Sequence, residues 1–302
     1  MIRVGNAFWV LAFLFIGGCA DQETEATVTP ITTQVSVTGG LIEGNLDEDG
    51  LKTYMGIPYV APPIDDLRWA PPEPVLPWKS VRDAKVVGPA CMQPEGLGGD
   101  FYGDSGIEMD EDCLFLNVWT RAENEEDRLP VMVWIHGGAL VTGQGSIYPG
   151  NLLTSKGVIL VTVNYRLGRF GFFAHPELTD ENPNKVSGNQ GLRDQIASLE
   201  WVRDNIERFG GDADNVTIFG ESAGSLSMSL LQASPLAKGL FHKVIGESGG
   251  AFQPMTYRDQ VKNYSPMHSE AIGEKFGTAL DNGQGNISLE EMRGYSQEEL
   301  MV

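Results

Sequence analysis

Hydrophobic positions along this chain recur with two periods, and the change from one to the other marks out its elements. Short runs rich in β-branched and aromatic residues read as strands. They are VSVTGGLIEG and YMGIPY near the start, EDCLFLNVW, Leu129–Ile135, Gly157–Asn164, Val216–Phe219 and Gly239–Gly246. A helical period holds over Gly188–Phe209, where Leu192, Ile196, Leu199, Val202 and Ile206 form one stripe and Arg193, Asp194, Glu200, Arg203 and Asp204 fall off it. That stretch predicts an amphipathic helix ended by Gly210-Gly211. A second helix is predicted over SLSMSLLQ, directly after Val216–Phe219. Strands alternating with helices predict an α/β fold with a largely parallel central sheet and a small antiparallel start. Glu123–Arg128 reads as a charged turn and residues 94–110 as a loop overhanging a site. The proline-rich APPIDDLRWAPPEPVLPW reads as extended surface chain.

The first residues stand outside this pattern. Arg3 gives a positive start, Ala7–Gly17 is an apolar run too short to span a membrane, and small residues follow. Ile16-Gly17-Gly18-Cys19 resembles a bacterial lipobox, with Cys19 as the lipidated residue; a plain secretory signal with an incidental cysteine is the other reading. The expected organisation is a signal peptide over 1–18, a lipidated Cys19 with a polar tether over 19–34, and a folded domain over 35–302. Such a chain is exported and held to a membrane by its lipid, or secreted if Cys19 carries none. Setting Cys19 aside leaves Cys91 and Cys113, an even pair suited to one disulfide in an oxidising compartment; two reduced cysteines are the alternative.

Composition adds exclusions. A chain that is 41% hydrophobic and 21% charged is ordinary for a globular protein, and a net charge of −20 without a basic stripe argues against nucleic acid as a partner. Nothing in the sequence calls for a metal or an organic cofactor. Asn282–Glu291 resembles the end of a calcium loop, but Leu280 stands where the first liganding aspartate belongs, so it reads as a surface loop before a helix.

Candidate chemistry centres on Ser222. Gly220-Glu221-Ser222-Ala223-Gly224 has the form G-x-S-x-G, which chance alone can supply in a chain with 37 glycines. Its place between a strand and a helix is the context a nucleophile elbow requires. A serine on that sharp turn projects its hydroxyl clear of the sheet, above the free N–H groups of a helix start. The second candidate is His136-Gly137-Gly138-Ala139, directly after the strand Leu129–Ile135. Glycines there let backbone N–H groups face a developing oxyanion; an ordinary strand-end turn is the plainer reading.

These segments together resemble the type-B carboxylesterase and cholinesterase family of α/β-hydrolases, from about Val35 onward. The likeness rests on MGIPY, LRWAPP, EDCLFLNVW, VMVWIHGGA, VTVNYRLGRFGFF, GNQGLRDQ, WVRDNIERFGGDADNVTIFGESAG and FHKVIGESGG. The resemblance implies an acyl-enzyme on Ser222, an oxyanion hole from the N–H groups of Gly138, Ala139 and Ala223, and a disulfide between Cys91 and Cys113. It puts Glu221 at the acidic position before the serine, either assisting a protonated histidine or serving structure. The implied substrate is a small carboxylic ester. In that family the acid and histidine follow the serine, yet only His242 and His268 do so here, and neither lies in a matching motif. The expectation is therefore an N-terminal portion of an esterase, with base, acid and last strands beyond Val302. Ser296-Gln297-Glu298-Glu299 opens a helix with a capping box close to that point. A non-catalytic binding module and an inactive remnant remain as alternatives.

Overall fold

The computed structural model describes residues 29–94, 108–251, 267–283, 285 and 287–301. The predicted signal peptide, Cys19 and most of the expected overhanging loop lie outside the described residues.

The predicted strand runs all form strands. In chain order they are β1 (Gln34–Val37), β2 (Gly40–Glu43), β3 (Asn45–Leu46), β4 (Lys52–Pro58), β5 (Arg82–Asp83), β6 (Ala90–Cys91), β7 (Met109–Asp110) and β8 (Phe115–Thr120). After these come β9 (Leu129–Ile135), β10 (Ile159–Val163), β11 (Gly211–Glu221) and β12 (Lys243–Glu247). The main sheet has the order β12-β11-β9-β10-β8-β4-β3. It is parallel from β10 through β9 and β11 to β12, and antiparallel from β10 through β8 and β4 to β3. The parallel character expected of the sheet thus belongs to the half that carries the candidate site. The antiparallel start is the β1–β2 hairpin.

Alternation along β9 shows why this sheet is buried on both faces. Val131, Val133 and Ile135 enter the main core, whereas Trp134, with Met132 beside it, packs with Leu51, Trp119 and Leu160 on the other face. The helices are α1 (Asn151–Thr154), α2 (Gly168–Phe172), α3 (Pro176–Glu181), α4 (Gln190–Asn205), α5 (Ala223–Ala233), α6 (Ser269–Leu280), α7 (Leu289–Arg293) and α8 (Gln297–Leu300). The stripe predicted over Gly188–Phe209 becomes α4 followed by a tighter turn over Ile206–Phe209, and Ile196, Leu199, Val202 and Ile206 are buried in the main core.

Two expectations need correction. Asp194 is not on the solvent face of its helix. It is fully buried and accepts from Arg166 through Nε at 2.8 Å, Nη2 at 2.7 Å and the backbone N–H at 3.0 Å. Nor does the whole proline-rich segment run over the surface. A short turn at Asp65–Leu67 sends Arg68 and Trp69 inward. Arg68 forms a buried, two-pronged pair with Glu111 and donates to the carbonyls of Arg293 and Tyr295. Trp69 joins a second core with Phe173, Leu289, Met292 and Leu300. Polar groups that look solvent-facing in sequence are therefore the pins that hold α7 and α8 to the body. α8 carries the capping box expected at Ser296 with Glu299, and α7 opens on a second one, Ser288 with Glu291. No helix among the described residues is long and apolar enough to cross a membrane, and no cluster there is placed to hold a metal ion.

Candidate active site

The site forms where β9 and β11 end side by side. These parallel strands pair Gly220 with Ile135, so the chain leaving β9 and the chain leaving β11 emerge at the same edge. Past β11, Ser222 adopts φ 53° and ψ −115° as the N-cap of α5. A non-glycine residue holds such angles only where its surroundings impose them. Two contacts impose them here. The Ser222 N–H donates to the Glu247 carbonyl on β12 at 2.8 Å, and the Ser222 carbonyl accepts from Leu226 N–H at 2.9 Å. The motif's glycines account for the closeness. A Cβ on Gly220 would stand 2.5 Å from the Ile135 carbonyl oxygen, and one on Gly224 only 2.1 Å from it.

Past β9 the chain turns through Gly138, Ala139 and Leu140, at φ 97°, 56° and 62°. Gly138 is obligatory, because a Cβ there would lie 2.1 Å from the Thr142 carbonyl oxygen. The N–H groups of Gly138, Ala139 and Ala223 hold no hydrogen-bond partner among the described residues, although Ala223 is buried. Ala223 is buried, Gly138 half-buried and Ala139 exposed, so the three donors form an open set at one strand edge, available to a negatively charged acceptor. Glu221 ends β11 half-buried, opposite Glu247 of β12.

The loop after β9 hangs on the segment that follows β10. Tyr165 stacks on His136 with ring centroids 4.4 Å apart and donates its hydroxyl to the His136 carbonyl at 2.8 Å. Gly168 N–H donates to the Leu140 carbonyl at 2.7 Å. Between them stands Arg166, locked by Asp194. On the far side Gln93 accepts from Thr142 Oγ1 at 2.6 Å and Gly143 N–H at 2.8 Å. Gln93 lies two residues past Cys91, whose disulfide to Cys113 is formed. The sequence gives no sign of Gln93 beyond its nearness to that cysteine.

Ser248 was also missed. Gly246-Glu247-Ser248-Gly249-Gly250 matches the Ser222 pentapeptide 26 positions later except for Gly249 in place of Ala223, β11 and β12 pair Gly220 with Gly246, and Ser248 has φ 52° against 53° at Ser222. The repeat was visible in the sequence; its alignment across adjacent strands was not.

All four histidines of the chain are engaged elsewhere. His136 is buried, and its Nδ1 meets the Gly137 carbonyl at 2.8 Å, so Nδ1 carries the proton. Burial pulls its pKa down to about 4, against the raising effect of that hydrogen bond. His175 and His268 cap α3 and α6, their Nδ1 atoms accepting from Glu177 N–H and Ala271 N–H. His242 Nδ1 accepts from Val216 N–H at 3.2 Å. None is hydrogen-bonded to Ser222 among the described residues.

A mixed sheet crossed by helices, with a strained serine at a strand-to-helix turn, defines the α/β-hydrolase class. Comparison narrows it: residues 31–301 match the Carboxylesterase family, and the chain belongs to that family. It is 42% identical over 288 residues to fumonisin B1 esterase of Sphingopyxis macrogoltabida, covering 92% of this chain and 50% of that protein. It is 38% identical over 300 residues to human (Homo sapiens) cocaine esterase, covering 97% and 51%. Among solved structures, a thermophilic PNB esterase superposes with a TM-score of 0.77 at 41% identity, over 89% of this chain and 52% of that one. A carboxylesterase of Geobacillus stearothermophilus gives 0.76 at 36%, over 89% and 52%. The chain thus spans about half the length of the relatives it matches.

Proposed function

We propose that the chain serves as a serine carboxylic-ester hydrolase working through an acyl-enzyme on Ser222. The observation that carries this reading is the trio of unpartnered N–H groups at Gly138, Ala139 and Ala223 beside a serine held at a strained elbow. As a base takes the Ser222 proton, Oγ bonds the ester carbonyl carbon and the carbonyl oxygen becomes an oxyanion, which the three N–H groups receive. Collapse of that intermediate expels the alcohol with the proton; water then repeats the sequence and releases the acid. Each such donor is worth roughly 100- to 1000-fold in rate.

This reading assigns base and acid to no residue of 1–302, because none of the four histidines is hydrogen-bonded to Ser222 among the described residues, His136, His175 and His268 being held in a buried turn and at two helix starts and His242 at the start of β12. The same observation favours a second reading, in which the chain is an inactive remnant or a binding module. Fluorophosphonate labelling of protein from its native source separates the two. One adduct on the Ser222 peptide, absent from Ser222→Ala, supports the esterase; no adduct overturns it. We further propose that residues 1–18 act as a signal peptide and 19–34 as a tether to the domain, with a lipid on Cys19 holding the protein to a membrane on the exported side. The intact mass of the mature protein tests this: a start at Cys19 with added acyl mass is expected, and an unmodified start elsewhere refutes it.

A further inference from the structure

Each donor at the site belongs to a peptide unit whose carbonyl is held from the other side. In a trans peptide the C=O and the following N–H point in opposite directions, so a bond to one aims the other. The Ser222 carbonyl accepts from Leu226 N–H at 2.9 Å, which aims the Ala223 N–H. The Gly137 carbonyl meets His136 Nδ1 at 2.8 Å, which aims that of Gly138. The third unit is held differently. The Gly138 carbonyl, which aims the Ala139 N–H, accepts from Val141 and Thr142 N–H at 2.9 and 3.0 Å, both inside the same tight turn. Ala139 itself is exposed, so burial does not fix it.

One amide side chain fastens that turn to the body. Gln93 Oε1 accepts from Thr142 Oγ1 at 2.6 Å and from Gly143 N–H at 2.8 Å, while Nε2 donates to the Gly143 carbonyl at 3.1 Å and to the Cys91 carbonyl at 3.0 Å. Both backbone polar groups of Gly143 are thus gripped by a single planar amide, as a neighbouring strand would grip them. Gly143 fits there because it has no Cβ, which would stand 2.5 Å from His136 Nδ1. Cys91, at the other end of the clamp, is fixed by its disulfide to Cys113.

We infer that Gln93 is a positioning residue of the oxyanion hole: through Thr142 and Gly143 it fixes the turn that aims the Ala139 N–H. The inference rests on the reading of Ser222 as the nucleophile. A donor aimed at a developing oxyanion acts on the transition state more than on the bound ester, whose carbonyl oxygen carries little charge. Loss of the clamp therefore lowers the limiting rate of acylation and leaves ground-state binding as it was.

The test reads the limiting rate and the half-saturating concentration of fluorophosphonate labelling at Ser222 separately. Gln93→Met keeps the length of the side chain and removes its polar atoms. It is expected to lower the limiting rate by roughly 10- to 100-fold, less than the loss of a whole donor, with the half-saturating concentration within about twofold of the parent's. Gln93→Glu supplies the rescue. Protonated, its carboxyl again offers one donor and one acceptor; ionised, it offers acceptors alone and faces the Gly143 and Cys91 carbonyls. Its rate relative to the parent is expected to rise as pH falls from about 8 to about 5, whereas the ratio for Gln93→Met stays level. A merely structural role would move stability in both variants and neither of these readouts. Amide exchange at 141–143, read by mass spectrometry without any label, is expected to quicken at least about fivefold in Gln93→Met, with β9 unchanged. An unchanged limiting rate in Gln93→Met, an effect confined to the half-saturating concentration, a level ratio in Gln93→Glu, or unchanged exchange overturns the inference. If Gln93→Met does not unfold cooperatively, the Gln93→Glu series decides alone. If the parent takes no label, the esterase reading falls, while exchange at 141–143 still decides whether Gln93 holds the turn.

Discussion

Replacing Asp194 by asparagine removes a charge from a place where water cannot replace it. Its carboxylate is fully buried, and the Arg166 guanidinium opposite is only 3% exposed. Asparagine keeps the shape and one acceptor, but leaves Arg166 as a buried cation without its counter-charge. Breaking a buried pair from one side costs about 3–5 kcal/mol. With a urea m-value of about 3 kcal/mol per M, at the upper end for small domains, the midpoint falls by roughly 1 M or more. The effect reaches the site as well. Arg166 lies between Tyr165, which holds His136, and Gly168, which holds Leu140. Labelling of Ser222 is therefore expected to slow even at low denaturant. Alongside Asp194→Asn, urea unfolding of Asp194→Leu, Arg166→Met and the pair Arg166→Met/Asp194→Leu closes the cycle. The double variant is expected to cost at least about 2 kcal/mol less than the sum of single changes, because it strands no charge. Additivity within about 0.5 kcal/mol would refute the reasoning.

Three further outcomes follow from the same contacts. His136 has a folded pKa of about 4 against an ordinary 6.5. Between those values the unfolded chain binds more protons, so stability is complete above pH 6.5 and falls as pH drops to 4, by about 3 kcal/mol. His136→Phe keeps a ring against Tyr165, and the difference in pH dependence between the two proteins isolates the His136 contribution; identical slopes would contradict it. Removing the Cys91–Cys113 bond by a double alanine substitution reopens a loop of 22 residues and is expected to cost about 3 kcal/mol in thermal or urea unfolding. Gly138→Ala forces a Cβ against the Thr142 carbonyl and is expected to slow Ser222 labelling by roughly 100-fold or more while Ser222 itself is unchanged.

The regular elements were legible because their burial is periodic. Val131, Val133 and Ile135 announce a strand, and Ile196, Leu199 and Val202 a helix, whatever surrounds them. The polar core was not. Asp194 looks exposed on any helical wheel, because its burial depends on Arg166, 28 positions earlier on another element. Arg68 sits between prolines and reads as surface until Glu111 and the carbonyls of Arg293 and Tyr295 surround it. Of the site, the serine and the glycine loop could be read from motif and context. Gln93 could not, because a side chain that clamps backbone carries no pattern.

The glycines of the Ser222 motif offer a test in which two principles pull in opposite directions. Gly224 lies in the first turn of α5, where alanine would favour the helix by up to about 1 kcal/mol. Against that, a Cβ on Gly224 stands 2.1 Å from the Ile135 carbonyl and 3.2 Å from that of His136, both backbone atoms without a rotamer to yield. Steric overlap with fixed backbone costs more than the helix gains, so Gly224→Ala is expected to lose about 1–3 kcal/mol net. It also pushes the Ser222 turn away from the strand that carries Gly138 and Ala139, so labelling of Ser222 is expected to fall with stability. On this packing Ser222 and the N–H groups of Gly138 and Ala139 move as one unit. A Gly224→Ala protein that is more stable than its parent and labels at the parent's rate would show that they are held separately.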